Sequence, residues 1–169
     1  MENIKNRLRI NVGFIVNATV GYNRDFPFEF DKYTDDDLQL LNVSGNINIA
    51  RTTQGLLATG NFTGTTSLDC VKCLGPFKMD LSWGFTELFA FKEENVTDSE
   101  LLVPEDAQVD FRELFREYAI LEYPIRPICS QDCQGLCPEC GQNLNLKDCG
   151  HDRGPKGTLS ELRDLIDKK

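Results

Sequence analysis

A chain of 169 residues is long enough for one domain, or one domain with a small appendage, and it can bury enough apolar surface to fold without disulfide staples. Hydrophobic residues make up 40% and charged residues 27%, an ordinary soluble composition in which no apolar run approaches the roughly 20 residues of a membrane helix. The net charge of −9 sets a mean field that repels nucleic acid and anionic membrane, so direct contact with either would need a local basic patch.

The opening MENIKNRLRI is polar and lacks the apolar centre of a secretory signal. Four sequons, at Asn17, Asn42, Asn61 and Asn95, would suit a secreted glycoprotein. The odd number of cysteines and their spacing favour the cytoplasm instead. The best candidates for a basic patch, Lys5/Arg7/Arg9 and Arg153/Lys156, are short groups of the kind that usually form solvated surface.

In chain order, LRINV predicts a short strand, and RDFPFEF predicts an edge strand that tolerates Pro27. Val43, Gly45, Ile47 and Ile49 alternate with Asn42, Ser44, Asn46 and Asn48, the period of a half-buried strand. After the turn-like TTQG, a second run places Leu56, Ala58, Gly60, Phe62 and Leu68 on one face, which reads as a long hairpin. A third run alternates Phe77, Met79, Leu81, Trp83, Phe85, Phe89 and Phe91 with polar residues; it should pair antiparallel with the second through the turn CVKCLGP. The acidic stretch from Glu93 to Asp110 predicts a mobile surface loop.

Beyond it the period becomes helical. Phe111, Leu114, Phe115, Tyr118 and Leu121 share a stripe, introduced by Asp110 and Glu113 as a capping box and ended by Pro124. Thr158 and Glu161 open a second, C-terminal helix bearing Leu159, Leu162, Leu165 and Ile166. No internal repeat is evident.

Between the helices, CSQDCQGLCPECGQNLNLKDCGH carries five of the seven cysteines and the only histidine. Structural zinc takes four Cys or His donors in a tetrahedron, and a two-residue gap lets a tight knuckle offer both sulfurs to one ion. CPEC, at Cys137 and Cys140, is one such knuckle and is followed by Gly141; Cys149 and His151 complete its four. CVKC, at Cys70 and Cys73 ahead of Gly75, is the other, with Cys129 and Cys133 to complete it. Eight donors fill two tetrahedra with none left over. Spacing alone leaves the pairing of donors between the ions open, since the two knuckles could share one.

Catalysis finds less support. A redox CxxC usually sits where a strand feeds a helix N-terminus, whereas CVKC lies between two predicted strands. A catalytic zinc keeps one position open, with a carboxylate such as Glu139 as a conceivable neighbour, but a filled set of four leaves no opening. No phosphate-cradling glycine loop and no spaced acid–base pair stands out.

GLCPECGQNLN, with the upstream CSQDC, CVKCLGPF and PIRPIC, resembles the YceD-type large ribosomal RNA subunit accumulation proteins. INVGFIV and GNINIARTTQGLLATGNFTGTTSLDC fit the same pattern, so the resemblance spans roughly positions 8 to 152. It implies an accessory protein needed for large-subunit ribosomal RNA to accumulate, often encoded beside a large-subunit ribosomal protein. Cys70, Cys73, Cys129, Cys133, Cys137, Cys140 and Cys149 match the family's cysteines. Relatives with the full set commonly end in Cys-x-Cys, whereas His151 stands here, an accepted zinc donor.

The sequence therefore predicts an α+β protein: an antiparallel sheet with one main packed helix over residues 1–128, and a zinc-ribbon-like, Cys-rich lobe with a short C-terminal helix over 129–169. Two structural zinc ions are the expected cofactors. The expected role is that of a non-enzymatic factor in ribosome biogenesis, partnered by a ribosomal protein or another assembly factor, without membrane or small-molecule substrate. The alternative is a direct RNA-binding module using the lobe and its Lys147/Arg153/Lys156 fringe. An isolated zinc-storage or redox protein is a third possibility.

Overall fold

The alternating runs become strands in the computed structural model, which describes residues 7–35 and 38–151. The chain runs through β1 (Arg9–Asn11), α1 (Gly13–Val16), β2 (Asn23–Asp35), β3 (Leu38–Arg51), β4 (Gly55–Asp69), β5 (Pro76–Ala90), β6 (Gln108–Asp110) and α2 (Arg112–Leu121). It divides into two compact units. One comprises the chain to Leu68 with Lys78–Ile125, and the other Asp69–Phe77 with the chain from Arg126 onward. The expected helix from Thr158 to Ile166, with Lys5, Arg153 and Lys156, lies outside the described residues.

In the first unit, β2-β3-β4-β5 form a four-stranded sheet in sequence order, and β1 pairs antiparallel with β6 in a second, two-stranded sheet. β2 is an edge strand, with Pro27 opposite Asn46. The β3–β4 turn is closed by the Thr52 hydroxyl, which accepts from Gly55 N–H at 3.0 Å and donates to the Gly55 carbonyl at 2.9 Å. β4 and β5 run antiparallel: Thr65 lies beside Asp80 and Gly60 beside Phe85, so positions rise on one strand as they fall on the other.

One face of the sheet is dry and the other wet. Phe28, Phe30, Val43, Ile47, Ile49, Leu56, Ala58, Phe62, Leu81, Trp83, Phe85 and Phe89 are buried. Against them α2 places Leu114, Phe115 and Ala119. The Phe115 ring sits edge-on to Phe62 and Trp83 at 4.9 and 5.2 Å, and 4.9 Å from Tyr33, the geometry aromatic quadrupoles prefer. On the opposite face Asp25 accepts from Asn46 and Asn48, Ser44 bonds Thr63, and Thr65 donates to Asp80. Polar cross-strand pairs of this kind hold a solvated face without an apolar cover.

Three expectations change. Leu121 is not on the buried stripe: it is 75% exposed, standing at the last position of α2 about 20° round the helix from Leu114, which at 9% exposure already marks the edge of a stripe centred nearer Phe111 and Phe115. The capping box does not form. Asp110 instead accepts from Arg112 N–H at 3.0 Å and grips that residue's guanidinium, which holds its carboxyl below the usual range. The acidic stretch is not wholly a loop, since Leu102 bridges to Ala90, Leu101 and Val103 pack on the core, and β6 follows. Among the described residues no helix is long and apolar enough to cross a membrane.

Candidate metal centres

The second unit is built around two turns of the same design. In CVKCLG, Leu74 N–H donates to the Cys70 carbonyl at 2.8 Å and Cys70 N–H donates to the Gly75 carbonyl at 3.0 Å. In CPECGQ, Gly141 N–H donates to the Cys137 carbonyl at 2.9 Å and Cys137 N–H to the Gln142 carbonyl at 2.8 Å. Both turns put the residue after the second cysteine in the left-handed region, Leu74 at φ 56° and Gly141 at φ 72°. The two knuckles thus share one backbone turn, with glycine at the left-handed position in one and leucine in the other.

The donors meet in two sets. The sulfurs of Cys70, Cys73, Cys129 and Cys133 lie within 4.8 Å of one another, as do the donor atoms of Cys137, Cys140, Cys149 and His151. Each set could hold a metal ion. All seven cysteines are free thiols; Cys70 and Cys133 sulfurs are 3.8 Å apart, as are those of Cys73 and Cys129, far beyond the ~2.05 Å of a disulfide. A tetrahedron with metal–sulfur bonds of about 2.3 Å has edges of about 3.8 Å, which these separations match. In the second set the His151 Nδ1 atom is 3.8 Å from Cys137 Sγ and 3.3 Å from Cys149 Sγ. The two sets differ in exposure. In the first, Cys70, Cys73 and Cys133 are buried and pack with Phe77 while Cys129 is exposed; in the second only Cys137 is buried, and Cys140 and His151 are exposed.

Electrostatics within each set favour a cation. Burial opposes ionisation of Cys70, but N–H groups of Cys129, Cys73 and Lys72 outweigh it and bring the thiol to about 6. N–H groups of Cys140 and Glu139 bring Cys137 to about 6 as well. Their neighbours move the other way: hydrogen bonding to Cys133, then burial, pushes Cys129 up to about 12, and Cys73 and Cys149 are also raised. Thiols this close cannot all become anions against one another's charge, and a divalent ion at the centre removes that conflict.

Backbone and side-chain contacts join the parts of this unit. Val71 N–H donates to the Pro127 carbonyl and Leu136 N–H to the Lys72 carbonyl. Gly135, at φ 74°, passes close enough that a Cβ would meet the Lys72 carbonyl oxygen at 3.0 Å. Leu136 pairs with Asn143, and Leu144 N–H donates to the Gly135 carbonyl. Asn145 was not singled out by the sequence; its Oδ1 accepts from Gln134 N–H at 2.8 Å and its Nδ2 lies 3.4 Å from Cys133 Sγ. Asn in a Gly- and Asn-rich stretch reads as a turn residue, and nothing local marks it as a partner of sulfur.

A family profile described as large ribosomal RNA subunit accumulation protein YceD matches residues 58–166, a span that contains both donor sets. An uncharacterized protein of Mycobacterium tuberculosis strain H37Rv is 31% identical over 103 residues, 59% of this chain and 50% of its own length. One from Mycobacterium leprae is 29% identical over 106 residues, 60% of this chain and 49% of its own. The large ribosomal RNA subunit accumulation protein YCED homolog 1, chloroplastic, of Arabidopsis thaliana is 37% identical over 70 residues, 39% of this chain and 22% of its own. The chain spans about half the length of the mycobacterial relatives it matches. No solved structure matches it.

Proposed function

The chain belongs to the family of YceD large ribosomal RNA subunit accumulation proteins, and from that premise we propose that it is a non-enzymatic accessory factor of ribosome biogenesis that supports accumulation of large-subunit ribosomal RNA. The family match is the observation that carries this reading. The net charge of −9 favours action through a basic protein, such as a ribosomal protein or another assembly factor, over contact with bare RNA. Of the basic fringe suggested for RNA contact, only Lys147 lies among the described residues.

In the same proposal, one zinc ion is held by Cys70, Cys73, Cys129 and Cys133, and a second by Cys137, Cys140, Cys149 and His151. The support is the match of donor separations to a zinc tetrahedron and the closed count of four in each set. The ions would supply architecture. Structural zinc contributes roughly 10–16 kcal/mol of apparent folding energy in small domains, and Cys70, Cys73 and Cys133 with Phe77 make a core too small to hold this unit by apolar burial.

Purifying the tagged full chain from its host at low salt and at several-fold higher salt tests the partner. Co-purification of ribosomal or assembly proteins that persists at high salt supports the reading. Recovery of RNA alone, lost steeply as salt rises, would replace it with direct phosphate binding. Deleting the gene should lower large-subunit ribosomal RNA relative to small-subunit RNA, and an unchanged ratio would refute the functional assignment.

A further inference from the structure

We propose that Asn145 couples the two metal centres, so that closing the Cys137/Cys140/Cys149/His151 set strengthens the Cys70/Cys73/Cys129/Cys133 set. The inference rests on the assignment of both sets as zinc centres. Its observation is positional: Asn145 lies in the segment between Cys140 and Cys149, inside the loop the second set closes, yet its amide Nδ2 donates to Cys133 Sγ of the first.

Two side-chain hydrogen bonds and one from the backbone hold the residue for that contact. Its Oδ1 accepts from Gln134 N–H at 2.8 Å, its Nδ2 also donates to Asn143 Oδ1 at 2.9 Å, and its own N–H donates to Asn143 Oδ1 at 3.0 Å. The flanking ladder places the loop along the residues that follow Cys133, through Leu136 with Asn143, Leu144 N–H to the Gly135 carbonyl and Cys137 N–H to the Gln142 carbonyl. Four thiolates on one divalent ion leave a net charge of about −2, and an N–H aimed at sulfur spreads that charge where burial keeps water away. Cys133 is 6% exposed, so water has little access to replace the lost donor.

Coupling follows from chain entropy. With the second set closed, Cys149 and His151 fix the far end of the loop and Asn145 is already in place. With it open, the loop beyond Gly141 must be ordered at the expense of the first centre's stability. Linkage makes the effect reciprocal: whatever the second ion adds to the first, the first adds to the second.

The test uses reduced full-length chain loaded with zinc, reading release to a chromophoric chelator, and with cobalt(II), whose absorption distinguishes an all-sulfur site from one with three sulfurs and a nitrogen. Asn145→Leu removes the donor. Asn145→Asp removes it too but keeps the acceptor for Gln134 N–H, so it carries the test if the leucine variant misfolds. Both should speed release from the all-sulfur centre roughly ten- to a hundred-fold, the usual cost of an outer-sphere partner. They should also shift that centre's cobalt bands and leave those of the other in place. Cys149→Ser, which opens the second set, should speed release from the first by a similar factor, and adding Asn145→Leu to it should change little more.

If two ions bind but both Asn145 variants and Cys149→Ser release the first at the wild-type rate, the coupling is wrong and the zinc assignment stands. If the Asn145 variants weaken the first centre while Cys149→Ser does not, the contact is real but couples nothing, which also overturns the proposal. If the reduced chain takes up fewer than two ions, the zinc assignment fails and the inference fails with it.

Discussion

The two knuckles share a backbone and differ in everything around it. Cys70 and Cys73 sit in the connection between β4 and β5, and their set gathers donors from positions more than 50 residues apart in sequence. Cys137 and Cys140 belong to a set drawn entirely from residues 137–151, open to solvent at Cys140 and His151. The first set thus resembles a staple and the second a clasp. A staple that closes a long loop removes more freedom from the unfolded chain, and a set with three of its four donors buried is slower to surrender its ion than one with a single buried donor.

The largest expected effect separates them by substitution. Cys133→Ser should cost the first ion and with it the order of residues 126–151, seen as collapse of amide-exchange protection. Cys140→Ser should lower zinc from two ions to one while that protection survives around Cys133. Equal damage from both would erase the distinction.

Acid should not tell the centres apart. Cys70 and Cys137 each stand at about 6 in the folded chain against an ordinary thiol value of 9.0. Groups depressed in this way contribute stability that is complete above 9, declines between 9 and 6, and is gone as pH falls through 6. Bound metal competes with the protons and moves the loss lower. Zinc should therefore leave both centres in one acidic window, and two releases separated by several pH units would show that the thiolates are not equivalent.

Smaller effects test the shared turn. Gly135→Ala, strained at φ 74° and pressed on the Lys72 carbonyl, should cost more than Gly141→Ala, which is strained at φ 72° but meets nothing within 4 Å. The latter should cost about 1 kcal/mol by thermal or denaturant unfolding of the metal-loaded chain. The smallest change is a gain. Leu74→Gly relieves a left-handed leucine whose side chain is 68% exposed, and should stabilise the same chain by about 0.5–1 kcal/mol after the glycine's added freedom when unfolded is counted. A loss instead would mean that the Leu74 side chain contributes packing of its own.

Much of this was legible before any coordinates. The alternation through Val43, Ile47 and Ile49, and again through Leu81, Trp83 and Phe85, encodes strands because period two can bury only one face. The eight candidate donors were readable because a small ion demands short local spacings such as CxxC, but which four meet was not, since Cys70 and Cys73 reach Cys133 and Cys129 across more than 50 residues. What escaped is set by contacts distant in sequence or by backbone alone. β6 is three residues that pair with β1 nearly a hundred positions away, and a segment that short has no period to read. Leu121 counted as apolar, but its place on the helix surface depends on where the stripe is centred. Leu74 adopts a conformation that its residue type argues against. Asn145 finds Cys133 through a fold-back that no local pattern announces.

The central claim is that two closed sets of four donors hold metal and thereby shape the second unit. Elemental analysis of zinc per chain in purified, reduced, full-length protein, with amide exchange measured before and after a strong chelator, tests it most directly. The account predicts two ions per chain and loss of protection over residues 126–151 on chelation, with the β2–β5 sheet retained. A metal-free chain with the same protection in the presence and absence of chelator would contradict it.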